Sequence, residues 1–425
     1  MESTVSVPVS FNNISTTFVE RYINIMVLFF PCTTFLVAPS VQGTTVITVL
    51  STILFLLVMA MPSEKKPAVM KELFWFFVVL IVLSICSQLS NLVFELKLNS
   101  SLTLINLNRY LDTFYRISHI TQTLYLISGF IIYLLIKYFS GPNLINYLFW
   151  GIRLLCLYAI YEFVYFLIMG QNGDFVTNRT LGYSEIDASI FQTINIGGID
   201  LVRIKGYTGE PSMFTFTAFP FWVLTFGLKR WLDNMLLLFC LIFTFSTTAY
   251  LSICLFVLFW FIYKRQFKLI ILTGFFIVAI MLILQMEAFK VVFDKVYNTV
   301  IAAKLSGDTD SSKDRGGAMA SHMEFWSHLP LPSKFVGIGF GYIRSTDFFS
   351  TLFLNTGIVG FIIFVSLFIK NLFLKIVNTD LKKCFQVATI LLFFIMMATV
   401  PEFSYASLWI FLALGFVIEK GGEVC

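Results

Sequence analysis

The sequence has little charge for its length. Of its 425 residues only 12% are Asp, Glu, Lys or Arg, whereas 58% are hydrophobic and 17% are aromatic. A typical soluble domain carries about 25% charged residues. The mean hydropathy is +0.86. This composition excludes an ordinary soluble domain and predicts a protein that contacts lipid over much of its surface. The modest net charge of +5 does not require a nucleic-acid partner, and we expect none.

Cysteine and histidine are sparse and lack the spacing of a metal site. The seven cysteines fall in apolar segments, at their edges or at the C-terminal tail, and CxxC pairs are absent. This pattern supports neither a disulfide framework nor a zinc site. The acidic pair Asp308 and Asp310 lies in a flexible-looking run, so we predict that the protein uses no metal ion and no other cofactor. The first twenty residues lack the basic n-region of a signal peptide, so we expect insertion to begin with the first spanning helix.

Long apolar runs dominate the rest of the chain. A helix that spans a bilayer needs about 20 mostly apolar residues. Twelve segments meet this description: 22–41, 45–61, 73–94, 119–138, 147–169, 213–228, 235–247, 248–263, 269–285, 348–369, 384–400 and 403–419. They predict an all-α, polytopic membrane protein in which residues 1–425 form a single transmembrane domain. The segments at 235–247 and 248–263 are either two short helices or helices that dip around a turn at 245–248.

The basic residues orient these segments. Lysine and arginine are concentrated in alternate short loops, including Lys65, Lys66 and Lys71, and the loop from Lys264 to Lys268. The positive-inside rule places these loops in the cytoplasm, together with both chain termini. Two long polar loops, 170–212 and 286–347, then lie together on the outer side, which is the periplasm in a bacterium. Hydrophobic residues at helical spacing predict a short amphipathic helix over 287–305 in the second loop.

Each long loop places an arginine ahead of a glycine-bearing turn. The first contains Arg203-Ile-Lys-Gly-Tyr-Thr-Gly-Glu-Pro-Ser212, and the second contains Asp314-Arg315-Gly316-Gly317 and later Gly337-Ile-Gly-Phe-Gly341. Arginine suits phosphate because its planar fork donates two parallel hydrogen bonds and stays charged. Arg203 and Arg315 are therefore candidates to bind one anionic ligand, although solvated loop arginines are equally expected. The glycine-rich turn is interpreted as a passage without Cβ atoms where the chain re-enters the membrane.

Several other residues are candidates for the same site. Glu210 is either a helix cap, a salt-bridge partner, a general base or a partner that orients an arginine. His322 is either structural or a second candidate for the base. Lys205, Tyr207 and Arg344 are candidates to bind substrate. Glu162 lies in the middle of a predicted span, where an ionisable group is a functional candidate by default. A buried ion pair with a loop arginine is the alternative for Glu162.

The order of these motifs resembles the bacterial O-antigen polymerase (Wzy) family, within the O-antigen polymerase and ligase superfamily. The resemblance covers about residues 200–365. It is carried by Arg203-x-x-Gly206 with Gly209-Glu-Pro-Ser212, Phe243-Thr-Phe-Ser246, Ser311-Ser-x-x-Arg315, Gly337-x-Gly-x-Gly341 and Asn355-Thr-Gly357-Ile-Val-Gly360. Each motif alone is weak, and their order and membrane placement make the resemblance more specific.

The resemblance implies a GT-C-like, inverting, metal-independent glycosyltransferase at the periplasmic face of the inner membrane. It would transfer a growing polysaccharide from undecaprenyl diphosphate to a new lipid-linked repeat unit, with membrane lipid and a chain-length regulator protein as further partners. Arg203 and Arg315 would bind the diphosphate, and Glu210 or His322 would take the proton.

Two alternatives remain open. Ligases of the superfamily tend to carry a His-Asn pair after the glycine-rich turn, and this chain has Ser345-Thr-Asp347-Phe-Phe-Ser350 there, which favours a polymerase. A flippase or other transporter would carry more charges along its helices than Glu162 with the polar Gln88 and Asn91. The sequence favours polymerisation over both ligation and transport.

Overall fold

The computed structural model describes residues 11–39, 41, 43–98, 102–105, 116–179, 192–196, 199–266 and 310–421. Most of this part of the chain is helical. Its α-helices are α1 (Phe11–Met26), α2 (Val46–Ala60), α3 (Lys66–Phe94), α4 (Ile117–Phe139), α5 (Leu144–Met169), α6 (Pro211–Leu228), α7 (Trp231–Phe243), α8 (Thr247–Tyr263), α9 (Asp310–His328), α10 (Leu331–Val336), α11 (Phe348–Leu372), α12 (Thr379–Thr399) and α13 (Ala406–Gly421).

Six of these helices are long and apolar enough to cross a membrane: α3, α4, α5, α6, α11 and α12. Helices α2, α7 and α8 are also apolar but shorter. Helices α7 and α8 meet at residues 244–246, so the structure has the two short helices that were one of the sequence alternatives. The long apolar helices are those of a membrane-embedded protein.

Helix α6 lies at the centre of the molecule. It packs against α12 and α7, while α13 packs against α4. In its most apolar stretch 89% of the residues are buried, against 11% for α3. A helix that is hydrophobic all round belongs in the interior. Pro211 occupies its first turn, where a missing N–H costs nothing. The site residues at the start of α6 are therefore held on the most buried of the six long apolar helices among the described residues.

Two sequence expectations need correction. The predicted span 22–41 is helical only to Met26, with a 3₁₀ turn at Val27–Phe29, and the chain beyond it is irregular. Pro31 lacks the N–H that would continue the helix. The all-α expectation also misses a β-hairpin, in which β1 (Thr193–Ile196) pairs antiparallel with β2 (Ile199–Val202). Two short runs of alternating apolar residues, close together in the sequence, favour such pairing even inside a helical protein.

The glycine-rich turn re-enters the helical bundle against a break in α11. Gly337, Gly339 and Gly341 all have positive φ, as a passage without Cβ atoms requires. Gly357 interrupts α11 with φ of 64°, and a Cβ there would lie 2.3 Å from the backbone oxygen of Phe335. The carbonyls of Leu354 and Asn355 accept hydrogen bonds from the N–H groups of Ile338 and Gly339 at 2.8 and 3.0 Å. The turn thus satisfies the groups that the break leaves open.

Three predicted features lie outside the described residues. They are the span 269–285, the amphipathic helix 287–305 and the carboxylate of Asp308. Among the described residues, five helices agree closely with predicted spans, which are 45–61, 119–138, 147–169, 213–228 and 348–369.

Candidate functional site

A polar cavity of about 650 Å³ lies at one end of the helical bundle. The starts of α2, α4, α6 and α13 border it, together with residues from both long loops. Its charged lining residues are Arg179, Arg344, Glu210 and Glu402. Hydroxyl groups of Tyr125, Tyr405 and several threonines and serines complete the wall. We call this space the polar cavity.

Arg179 reaches the cavity from the first long loop because that loop is tied to the irregular segment after α1. The backbone N–H groups of Asn178 and Arg179 both donate to the carbonyl of Thr34, at 3.2 and 3.1 Å. The Asn178 side chain pairs with both backbone groups of Leu36, at 2.7 and 2.9 Å. The Arg179 guanidinium donates to the carbonyl of Thr33 at 3.4 Å and is buried. The irregular segment after α1 therefore holds Arg179 in place.

Arg344 reaches the same cavity from the second long loop. Its guanidinium forms an ion pair with Glu402, which lies between α12 and α13. The side chain of Arg344 is 46% exposed because it borders the cavity, whereas that of Glu402 is 8% exposed. Partial removal from bulk water at the cavity wall lowers the pKa of the Arg344 guanidinium, and the charge of Arg179 acts in the same direction while Glu210 opposes it. Arginine nevertheless stays protonated in proteins. Both long loops thus place a permanent cation at one cavity.

The carboxylate of Glu210 lies at the start of α6. Glu210 is the N-cap residue of this helix by its backbone conformation, with φ of −136° and ψ of 151°. Its Oε2 accepts a hydrogen bond from Ser212 Oγ at 3.2 Å. The side chain is half-buried and borders the cavity, so it can accept a proton from a ligand there. Of the alternatives for Glu210, the structure combines the capping position with a cavity-facing carboxylate.

Lys205 and Glu162 lie in a separate buried cluster with Asp174. Lys205 Nζ lies 3.2 Å from Glu162 Oε1 and 2.6 Å from Asp174 Oδ2, and all three side chains are at most 7% exposed. Asp174 also accepts hydrogen bonds from the backbone and the hydroxyl of Thr177. Burial by itself would raise the pKa of Asp174, but the Lys205 ammonium and the bonds from Thr177 lower it below its ordinary value. The ion pair expected for Glu162 is therefore made with a loop lysine.

This buried cluster fixes the loop that leads to Arg179. Asp174 organises the turn at 174–177, and the loop reaches Asn178 directly afterwards. The neighbouring Tyr207 stacks near Tyr158 with ring centroids 5.4 Å apart. Its carbonyl accepts hydrogen bonds from the N–H groups of Thr33 and Thr34. Burial raises the pKa of the Tyr207 hydroxyl. Lys205, Glu162 and Tyr207 thus lie behind the cavity wall and support it.

Arg203 connects the β-hairpin to the turn between α7 and α8. Its Nε donates to the carbonyl of Thr244 at 3.0 Å and its Nη2 donates to that of Phe245 at 3.3 Å. Its Nη1 donates to the side chain of Gln192. The two motifs that the family resemblance quoted, around Arg203 and around Ser246, are therefore in direct contact. The predicted role of Arg203 in diphosphate binding stays a prediction.

His322 lies in a buried network between α9 and α11. Its Nε2 accepts a hydrogen bond from the backbone N–H of Thr103 at 3.1 Å, so a neutral ring carries its proton on Nδ1. Nδ1 lies 3.2 Å from Ser350 Oγ, and Ser350 in turn donates to Asp347 Oδ2 at 2.7 Å. Burial lowers the pKa of His322, and the charge of Asp347 opposes this shift. One ring nitrogen thus contacts the start of α11 and the other contacts the segment at Thr103.

Arg315 lies in α9. Its side chain and that of Asp310 lie outside the described part of the structure. Among the described residues, no group of three or more His, Cys, Asp or Glu side chains is placed to hold a metal ion.

The sequence analysis does not identify Arg179, Glu402 and Tyr405 as residues of the cavity. Glu402 carried a usable signal, because it is a lone carboxylate between two apolar segments, at Pro401-Glu402. Arg179 carried none, since its neighbours form no motif. Of the predicted residues, Arg344 and Glu210 meet at the cavity, and their charges interact.

No family model, curated protein or solved structure matches the chain.

Proposed function

We propose that this protein is a membrane-embedded glycosyltransferase that polymerises lipid-linked saccharide repeat units, and that the polar cavity is its active site. One observation carries the proposal: an arginine from each long loop, Arg179 and Arg344, lines a cavity of about 650 Å³ together with the carboxylate of Glu210 and with Glu402, the ion-pair partner of Arg344. Paired guanidinium groups suit a diphosphate, and a carboxylate beside them suits a general base. The motif resemblance described above supports the same chemistry independently.

The reaction is a single displacement at the anomeric carbon of the donor sugar. A hydroxyl of the acceptor repeat unit attacks that carbon, and the bond from the carbon to the diphosphate oxygen breaks. The leaving diphosphate keeps the electron pair, and Arg179 with Arg344 stabilises its charge. Glu210 takes the proton from the attacking hydroxyl. The carbon inverts, the chain grows by one unit on the acceptor lipid, and the donor leaves as the free polyprenyl diphosphate.

The proposal retains the finer topology inferred from the sequence. It has twelve crossings, both termini in the cytoplasm and the cavity facing the periplasm of a bacterial inner membrane. The donor and the acceptor are both undecaprenyl-diphosphate-linked saccharides, with a chain-length regulator as an additional partner. The diphosphate role that the resemblance implies for Arg203 and Arg315 is tested separately from the polar cavity.

The test uses the purified full-length protein in liposomes with lipid-diphosphate-linked repeat units as both donor and acceptor. A ladder of products on a gel supports polymerisation. Arg344→Ala should lower the rate about 10²–10³-fold, the usual cost of removing one preorganised donor from a developing charge. Arg265→Ala is the matched control, because Arg265 is exposed at the end of α8.

Other results would contradict the proposal in distinct ways. A product that forms only when lipid A core is added would indicate a ligase. Movement of the lipid-linked unit across the bilayer without a new glycosidic bond would indicate a flippase. A normal ladder from Arg344→Ala would remove the polar cavity from the mechanism.

A further inference from the structure

A second large space in the molecule is an apolar groove of about 610 Å³ between α3, α4, α11 and α13. Aromatic and aliphatic side chains line most of it, including Trp75, Phe76 and Leu80 from α3. Trp75 is 58% exposed on the outer face of the bundle, so the groove borders the surface that faces lipid. At one end the rings of Phe340 and Phe403 lie 4.8 Å apart and close it toward the polar cavity.

Three lysines lie together near the opposite end of this groove, and one of them, Lys370, lines it. We call Lys137, Lys370 and Lys420 the lysine cluster. Lys137 and Lys370 share the ring of Phe416, with their Nζ atoms 4.6 and 5.5 Å from its centroid. Lys137 and Lys420 share the ring of Tyr138, at 5.0 and 5.7 Å. Lys420 Nζ also donates to the carbonyl of Lys137 at 2.8 Å. Three ammonium groups are thus gathered around two rings.

The carboxylates near the lysine cluster do not balance its charge. Glu72 lies 2.5 Å from Lys137 Nζ, and it also accepts a hydrogen bond from the Tyr138 hydroxyl. Glu419 accepts a hydrogen bond from the backbone N–H of Lys375 and lies near Lys420. Lys71 lines the groove as well, so cations outnumber these carboxylates. Like charges held this close are stabilised by a bound anion.

We propose that the apolar groove and the lysine cluster together bind one anionic phospholipid of the leaflet at that end of the protein. The phosphate group contacts the lysine cluster, and an acyl chain occupies the groove toward Phe340 and Phe403. Ammonium groups beside an opening onto lipid attract anionic headgroups. Lys370 and Lys420 are exposed and therefore accessible to a headgroup.

A polyprenyl diphosphate that takes part in the reaction cannot have its diphosphate at the lysine cluster. Gln122 of α4 borders the polar cavity, and Lys137 lies fifteen residues further along the same helix. At 1.5 Å per residue this separates the two by about 22 Å. A diphosphate at the lysine cluster would lie far from Arg179 and Arg344. The distance between the lysine cluster and the polar cavity therefore assigns the groove to a phospholipid of the leaflet opposite the polar cavity.

The test titrates the purified full-length protein with dioleoyl phosphatidylglycerol or dioleoyl phosphatidylcholine and counts bound lipid by native mass spectrometry. We expect phosphatidylglycerol to bind more tightly. The double variant Lys370→Gln with Lys420→Gln should weaken its binding about 25-fold, at about fivefold for each lysine. The control is Lys229→Gln with Lys375→Gln, which removes the same charge from exposed positions at the same end of the bundle.

A third variant separates the groove from the charges. Ala68 is exposed and lines the groove, so Ala68→Trp should block the acyl chain and lower phosphatidylglycerol binding while it leaves every lysine in place. Equal binding of the two phospholipids would overturn the proposal, as would equal losses in the two double variants. Displacement of phosphatidylglycerol by undecaprenyl phosphate at the same lysines would assign the groove to the polyprenyl lipid instead. None of these measurements depends on glycosyl transfer.

Discussion

The polar cavity and the buried cluster of Lys205, Glu162 and Asp174 use the same chemical groups in opposite ways. In the cluster each side chain is at most 7% exposed, and the lysine lies within 3.2 Å of both carboxylates. In the cavity Arg344 is 46% exposed beside about 650 Å³ of space. The cluster has no room for a ligand, whereas the cavity has room for the headgroup of one.

The difference between the two sites indicates that buried and half-buried charged residues have two separate roles in this protein. A closed ion cluster fixes the path of a loop because each of its charges depends on the others. An open set of charges keeps part of its binding capacity for an incoming group. The buried cluster positions Arg179, and the polar cavity uses the charge of Arg179.

The largest expected effect comes from breaking the closed cluster. Lys205→Met leaves Glu162 and Asp174 buried without their cation, and removal of one partner from such a cluster destabilises by about 3–5 kcal/mol. We expect a low yield of folded protein and a lower Tm in detergent, measured by fluorescence-detected size exclusion and thermal unfolding. Lys375→Met is the control, and equal yields of the two variants would show that the cluster does not hold the loop.

The next effect distinguishes the two candidates for the general base. Glu210→Gln keeps the size of the side chain but removes its basicity, so the polymerisation rate should fall about 10²–10⁴-fold with little change in Tm. His322→Gln should lower the Tm, because the network with Ser350 and Thr103 is disturbed, yet keep the activity of the folded fraction. The reverse pattern would assign the base to His322.

A moderate effect concerns pH and Asp174. The pKa of Asp174 in the folded protein lies below the ordinary value of an aspartate side chain. The charged form of Asp174 therefore stabilises the fold at pH values above that ordinary pKa. This stabilisation is lost as the pH falls through the folded pKa. Asp174→Asn should therefore cost about 1–3 kcal/mol at neutral pH. The gap in Tm between the two proteins should narrow below about pH 4, and a gap independent of pH would contradict this assignment.

The smallest expected effect on catalysis is that of Arg203→Lys. The variant keeps the charge but loses the fork that joins Gln192 to the carbonyls of Thr244 and Phe245, at about 0.5–1.5 kcal/mol for each bond lost. Unfolding should become easier while the product ladder of the folded protein stays normal. Loss of the ladder would instead support the diphosphate role that the family resemblance implies for Arg203.

Local features of the structure could be predicted from the sequence. Glycines at 337, 339 and 341 indicated a passage without Cβ atoms, and all three have positive φ. The apolar runs located most of the helices to within a few residues. These features depend on short stretches of chain, where hydrophobicity and backbone freedom decide the outcome.

Features that depend on distant contacts could not be predicted in this way. Hydropathy alone does not distinguish a helix from an irregular apolar segment that other helices cover, and it therefore predicts helix beyond Met26. The approach of Arg179 to Arg344 depends on the anchoring of one loop to Thr34. The pairing of Arg344 with Glu402 likewise joins two segments that share no sequence pattern.

The break in α11 at Gly357 has a consequence for how the protein is made. The carbonyl groups of Leu354 and Asn355 accept hydrogen bonds from the backbone N–H groups at 338–339, and Asn355 Nδ2 donates to the carbonyl of Ile343 at 2.7 Å. A ribosome synthesises the glycine-rich turn before it synthesises α11. The partner of the broken helix is therefore already outside the ribosome when the helix enters the bilayer. Insertion of this segment is thus completed by docking onto an earlier part of the chain.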